Sequence, residues 1–326
     1  MLTAFTTVNG HLQLLERESL EEKNIWLNLI NPTEKEIQQV IQRTGIDQDF
    51  IMAALDEEER SFIDYDDDQI AIVVDVPYSM GSAAPVIYHT VPMGIFVTGD
   101  AVVTVSLRPT EVLEHVIKSR RGNLGRPWAR FVLDLLYAVS SYYLHYLKMI
   151  DRLINDIESE MHHSLRNEKI VRLMNLEKSL VYFTISLRTN ETVLEKLLRI
   201  YNRKGDEEEA NIIMYILAMN DEDEERLEDV ITENRQAIEM CDIYNRILRG
   251  MRETFSSIIS NNLNIVMRFL TSVTIILAIP TVIFSFYGMN VNLPLMHVSF
   301  AFIVITLGTI ISMIAGVWIL LKKGMF

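Results

Sequence analysis

The sequence predicts an α+β membrane protein, with an N-terminal cytoplasmic α/β domain, long stalk helices and two C-terminal transmembrane helices. Three observations lead there. Of the 326 residues 49% are hydrophobic and the mean hydropathy is +0.16, high for a wholly soluble chain. No Asp, Glu, Lys or Arg occurs between Phe269 and Leu321, a run of 53 residues. The spacing of apolar residues also changes after Pro127, from strand-like runs to steps of three and four.

The N-terminal part is read first. Residues 2–16 and 25–30 have strand character, and Thr33 with Glu36 makes a Thr-x-x-Glu capping box that starts a helix ending near Arg43. A second helix is expected over 47–60. The stretches 69–76, 86–89 and 94–107 are rich in Val and Ile, with Gly99-Asp100 as a hairpin turn between two apolar runs. Gly122, Gly125 and Pro127 mark the end of this domain, which gives boundaries of 1–122 for the α/β domain and 123–268 for the stalk.

In the stalk, Tyr143, Leu147, Ile150, Ile154, Ile157 and Met161 form the seam of a long packed helix that breaks near 163–167. A second helix carries Leu173, Leu176, Leu180, Phe183 and Leu187. A third follows Leu227, Asn234, Cys241, Leu248 and Phe255. No proline occurs between Glu222 and Ile279, so one rod of roughly 60 residues, about 90 Å at 1.5 Å per residue, runs into the hydrophobic region.

The membrane domain is 269–326. Its spans, 269–287 and 298–321, each suffice for a hydrocarbon core that needs about 20 residues, and the loop 288–297 is too short for a folded domain. Arg249, Arg252 and Arg268 precede the first span and Lys322 and Lys323 follow the second, so the positive-inside rule puts both termini in the cytoplasm. The first thirty residues, interrupted by Glu16, Glu18, Glu21 and Glu22, hold no signal-peptide core. Trp318 and Tyr287 suit interfacial anchoring.

Several function classes are excluded or disfavoured. Up to residue 268 there are 28 basic against 44 acidic residues, a net of −16, and no basic face for a nucleic acid. The single cysteine, Cys241, rules out a disulfide framework and reads as core. No phosphate loop, nucleophile elbow or paired catalytic constellation supports an enzyme, and no covalent cofactor is expected. His11, His89, His115 and His145 lack zinc-ligand spacing, and the adjacent His162 and His163 point apart on a helix or lie in a surface turn.

The first span carries a stripe of small, polar or flexible residues: Asn264, Met267, Thr271, Thr274, Ala278, Thr281, Ser285 and Gly288, at steps of three and four. Two readings fit. Small residues let membrane helices approach closely, or the stripe lines a wet path, which then needs several copies because two spans cannot enclose one. After the stripe comes Tyr287-Gly288-Met289-Asn290.

Here the sequence resembles the CorA family of magnesium channels, whose signature is Gly-Met-Asn, generally after Tyr, at the end of the first of two C-terminal membrane helices. The short loop, Lys322-Lys323, the Asn264-x-x-Met267-x-x-Leu270-Thr271 entry and the acidic α/β domain extend the resemblance over essentially the whole chain, least well in the N-terminal domain.

The resemblance implies a homopentameric funnel in the cytoplasmic (inner) membrane, with lipid and divalent ions as its other partners. Its selectivity filter would be Gly288, Met289 and Asn290, and Met267 and Leu270 would form an apolar constriction. Mg²⁺ would be both substrate and regulatory ligand, with Co²⁺ and Ni²⁺ as secondary substrates. Ala278 and Ser285 depart from a larger and a smaller residue in some members, which leaves the pore width open. Asp229, with Asp67 or Asp68 of a neighbouring subunit, would bind the Mg²⁺ that closes the pore, although acidic runs such as 56–59, 64–68, 206–209 and 221–229 are also ordinary solvated faces. The alternatives are a zinc or other transition-metal transporter of the same family and, from another class, a membrane-anchored coiled-coil scaffold. The scaffold leaves the stripe and Gly288-Met289-Asn290 unexplained.

Overall fold

The computed structural model describes all residues except 9, 10, 16–21, 67, 82, 83, 85, 120–123, 125, 126, 162–166, 204–207, 292, 295–299 and 326, and the side chains of 160, 161, 167 and 208–210. Two compact units are present, Met1–Arg249 and Gly250–Phe326. Gly122, His162, His163 and much of the acidic run 206–209 lie outside the described residues.

The first unit is built on one mixed sheet of seven strands: β1 (Leu2–Val8), β2 (His11–Leu14), β3 (Ile25–Ile30), β4 (Phe62–Asp66), β5 (Gln69–Ser79), β6 (Tyr88–Val97) and β7 (Ala101–Ser106). Their order is β2-β1-β3-β7-β6-β5-β4, and only β3 and β7 run parallel. The expected strand 2–16 is instead a hairpin, with Val8 opposite His11. The intervening Asn9-Gly10 is a strong hairpin dipeptide that strand propensity alone passes over. The turn at Gly99-Asp100 joins β6 to β7 as expected, and Thr98 N donates to Ala101 O at 2.9 Å.

Helix α1 (Glu34–Thr44) begins at the predicted capping box and ends on Gly45 in the left-handed region. Glu36 does more than cap, because its carboxylate accepts from Thr33 N and from Leu2 N, both at 2.9 Å, tying α1 to β1. Helix α2 covers Gln48–Ala53 only, not the expected 47–60. The acids that follow turn the chain back on itself: Asp56 Oδ1 accepts from Glu58 N at 3.0 Å, a local bond that competes with continued helix. Ile37 and Val40 of α1 and Ile51 of α2 pack with Leu27, Leu29, Val73, Phe96 and Val103 in one continuous core. On the alternate side of β3, Trp26 meets Phe131 edge-on at 5.2 Å and its Nε1 donates to Thr104 Oγ1.

Helices α3 (Glu111–Ser119) and α6 (Glu208–Leu217) and strand β4 were not expected from the sequence. The long helices were. Helix α4 (Ala129–Met161) buries Tyr143, Leu147, Ile150, Ile154 and Ile157, and α5 (Asn167–Asn202) buries Leu173, Leu176, Leu180, Phe183 and Leu187. Helix α7 runs unbroken from Asp221 to Tyr287, 67 residues, burying Leu227, Asn234, Cys241, Leu248 and Phe255 at every seventh position. Its start is capped reciprocally, Asp223 N donating to Asn220 Oδ1 and Asn220 N to Asp223 Oδ2, each at 3.1 Å.

In the second unit, the C-terminal part of α7 packs against α8 (Ala301–Lys322). Both helices are long and apolar enough to cross a membrane, and only 6% and 11% of their most apolar 18-residue windows is buried within the chain.

Candidate functional site

Where the stripe on α7 faces is decided by what packs on the other side. Between Thr271 and Tyr287 the less exposed positions are Ser272, Val273, Ile276, Ile279, Pro280, Ile283 and Tyr287. At 100° per residue, Ser272, Ile276, Ile279, Ile283 and Tyr287 share one face, the face toward α8. Asn264, Met267, Thr271, Thr274, Ala278, Thr281, Ser285 and Gly288 lie on the opposite face and are all exposed, Met267 at 55%. Leu270, 57% exposed, lies beside them.

Two of the stripe's hydroxyls are bonded within the helix. Thr274 Oγ1 donates to Leu270 O and Thr281 Oγ1 to Leu277 O, each at 2.8 Å, the usual local bond of a threonine in an apolar helix. Pro280 supplies no amide to Ile276 O. The adjacent hydroxyl of Thr281 does not serve that carbonyl, since it donates to Leu277 O instead.

The helix closes on Gly288, whose N donates to Phe284 O at 2.9 Å and Ser285 O at 3.2 Å. A Cβ there would stand 3.2 Å from Phe284 O, a tight contact that glycine avoids. Met289 N continues to Phe286 O at 3.3 Å, and Met289 and Asn290 are exposed. Among the described residues the non-glycine positive φ angles belong to Asn24, Asn31 and Ala218, so Asn290 is not a left-handed cap. No charged side chain occurs from Gly288 to His297, although 292 and 295–299 lie outside the described residues.

At its other end α7 carries the acidic run. Asp221 Oδ1 accepts from Tyr201 OH at 2.9 Å and Asp223 is the buried cap partner, so these two acids have local roles. Asp229 is exposed, and so is Asp68 beside β4. Among the described residues neither has a hydrogen-bond or ion-pair partner, and no group of three His, Cys, Asp or Glu forms a metal site within one chain. Asp67 lies outside the described residues.

Sequence reasoning missed how α8 is attached. Ser272, fully buried, donates to Met325 O at 3.1 Å, and Lys322 Nζ lies 5.4 Å from the centre of the Trp318 ring. The spacing Ser272, Ile276, Ile279, Ile283 was the available signal.

An α/β sheet domain and two C-terminal helices long and apolar enough to cross a membrane, the first with a polar stripe, make the architecture of an integral membrane protein. The chain belongs to the CorA-like Mg²⁺ transporter protein family, whose model matches residues 21–323. It is 26% identical over 317 residues to the cobalt/magnesium transport protein CorA of Methanocaldococcus jannaschii, covering 95% of this chain and 94% of that one. In fold it matches the complete structure of the CorA magnesium transporter from the same organism, with a TM-score of 0.81 at 23% identity over 98% of this chain and 96% of that one. It also matches the full-length CmaX protein, with a TM-score of 0.69 at 12% identity over 97% of each chain.

Proposed function

We propose that this chain is one subunit of a homopentameric channel of the cytoplasmic membrane that passes hydrated Mg²⁺, with Co²⁺ and Ni²⁺ as secondary cargo. Its working parts are the cytoplasmic α/β domain 1–122, the stalk 123–268 and the membrane domain 269–326, with both termini in the cytoplasm. The observation that carries this reading is the orientation of the α7 stripe: Thr271, Thr274, Ala278, Thr281 and Ser285 are exposed on the face away from α8. One chain leaves that face unpartnered, and a ring of copies with α7 innermost turns it toward a common axis.

The chemistry of the outer mouth suits a hydrated ion. Mg²⁺ binds its waters at about 2.0 to 2.1 Å and sheds them reluctantly, so a site lacking carboxylates does not strip it. The Asn290 amide oxygens accept hydrogen bonds from those waters, and Gly288 and Met289 shape the turn that presents them. Nothing in this filter traps the ion, as conduction requires. Lower down, Met267 and Leu270 close the path by excluding water, and Asn264 stands at its inner entry. A negative membrane potential drives two charges inward by about 4.6 kcal/mol per 100 mV, so no nucleotide is consumed.

The test is uptake into vesicles holding a Mg²⁺-sensitive dye. Asn290→Ala is expected to reduce entry about tenfold, equivalent to about 1.4 kcal/mol of lost stabilisation. Equal signals for variant and wild type at matched protein would reject the filter assignment.

A further inference from the structure

One glycine of α8 lies against α7. A Cβ added at Gly316 of α8 would stand 3.1 Å from Ile279 Cδ1, whereas at Gly308, two turns earlier, it would meet nothing within 4 Å. Carbon atoms rest at about 3.5 to 4.0 Å, so a side chain at Gly316 requires Ile279 to give way, by a few tenths of an ångström for a methyl and by more for a larger group. Its partner matters more than the distance. Ile279 immediately precedes Pro280, the one proline inside α7, where the bond to Ile276 O is missing and the hydroxyl of Thr281 does not replace it. A helix with a missing rung bends there more easily than elsewhere. On the cytoplasmic side of this point the segment just after α8 is already tied to α7 by the Ser272–Met325 bond. Beyond Pro280 come Thr281, Ser285 and the Gly288-Met289-Asn290 turn.

We propose that Gly316 is a positioning residue for ion passage: by seating α8 against Ile279 beside the proline, it sets the direction of α7 from Thr281 onward and so aligns the filter. This rests on the channel reading above. A side chain at 316 displaces α7 just below its weak point, and the displacement grows toward Asn290, ten residues further along. The filter would then hold the hydration shell of each ion differently.

The experiment compares Mg²⁺ and Co²⁺ entry into vesicles containing full-length wild type, Gly316→Leu, Gly316→Leu with Ile279→Ala, and Asn290→Ala. Gly316→Leu is expected to slow Mg²⁺ entry about tenfold and to change the Mg²⁺ to Co²⁺ ratio severalfold. Ile279→Ala, which returns the volume across the contact, should restore both. If Gly316→Leu fails to reach the membrane, Gly316→Ala with and without Ile279→Val asks the same question more gently, Val lacking the Cδ1 atom that the new methyl meets. Equal slowing of both ions, no slowing, or no rescue by the Ile279 partner overturns the proposal. Asn290→Ala separates the two failures: if it transports normally the filter assignment on which this proposal rests has fallen, and if it is impaired while the Gly316 series behaves otherwise than expected, only the positioning role has.

Discussion

At the scale of single residues, the most informative contact joins positions 115 residues apart. Strand β5 pairs with β4 only as far as Val73 opposite Phe62, and at Asp75 the side chain of Asn190 takes over. Its Nδ2 donates to Asp75 O and its Oδ1 accepts from Asp75 N, both at 2.8 Å, so an amide side chain stands in for a missing strand. Ser61 Oγ donates to the same Oδ1 at 2.8 Å, and Tyr143 OH reaches Asp75 O at 3.1 Å. Burial raises the Asp75 carboxyl above its ordinary value, with Ser186 and Thr189 partly opposing by hydrogen bonding. The folded state therefore holds this proton more tightly than the unfolded chain, and stability falls as pH rises from the ordinary Asp value of 3.8 through the raised one, then levels. Asp75→Asn keeps the size of the side chain and loses the charge. It is expected to unfold at a higher temperature than wild type at neutral pH, and to lack wild type's decline across that window. Identical pH slopes for the two proteins would contradict the burial argument. Nothing in the sequence announces this pair, because a buried Asp and a surface Asp look alike until the fold brings their partners together. The capping box at Thr33 and Glu36 was legible because all of it lies within four residues.

At the scale of elements, legibility followed periodicity. The seams of α4, α5 and α7 were plain in the sequence because a stripe repeated over several turns outweighs any single residue. Short elements escaped it: α3 and α6 each have ten residues or fewer, and β4 lies in a run whose acids read as a charged surface. The acidic start of α7 similarly conceals a structural device. Asn220→Ala removes half of the reciprocal cap and leaves the Asp223 backbone N–H without its acceptor, while the carboxylate of Asp223 keeps the backbone N–H of residue 220. The expected cost is about 1 to 2 kcal/mol, with faster amide hydrogen exchange confined to the first turns after Asp221. Unchanged exchange there would mean that the cap is redundant. On the same helix, Arg235 bridges to Glu191 at 2.8 Å and Glu195 at 2.7 Å, but these exposed pairs contribute little to stability by comparison.

At the scale of the whole molecule, the sequence revealed the class of architecture but not the strand order. Seven strands can be arranged in many ways, and the single parallel pairing of β3 with β7 is set by how α1, α2 and the β4–β6 strands return the chain. Asp229 and Asp68 stand exposed and unpartnered among the described residues. If these acids, with Asp67, face one another between subunits, they repel when empty, and a bridging Mg²⁺ stabilises the closed ring. Replacing Asp229, Asp67 and Asp68 together with Asn is then expected to raise the internal Mg²⁺ needed for closure about tenfold, within the range typical of allosteric coupling. The check is dye-reported uptake at graded internal Mg²⁺, and an unshifted inhibition curve would take these carboxylates out of regulation.

The buried seam of α7 has a practical corollary for watching such motions. Cys241 is the chain's one sulfhydryl, it is wholly enclosed, and burial lifts its pKa to about 12. At neutral pH it is a poor nucleophile, inert toward maleimides and methanethiosulfonates while the fold holds. Spin labels or fluorophores attached at engineered cysteines near Thr281 or Asn290 would thus report from those places alone, on an otherwise native background.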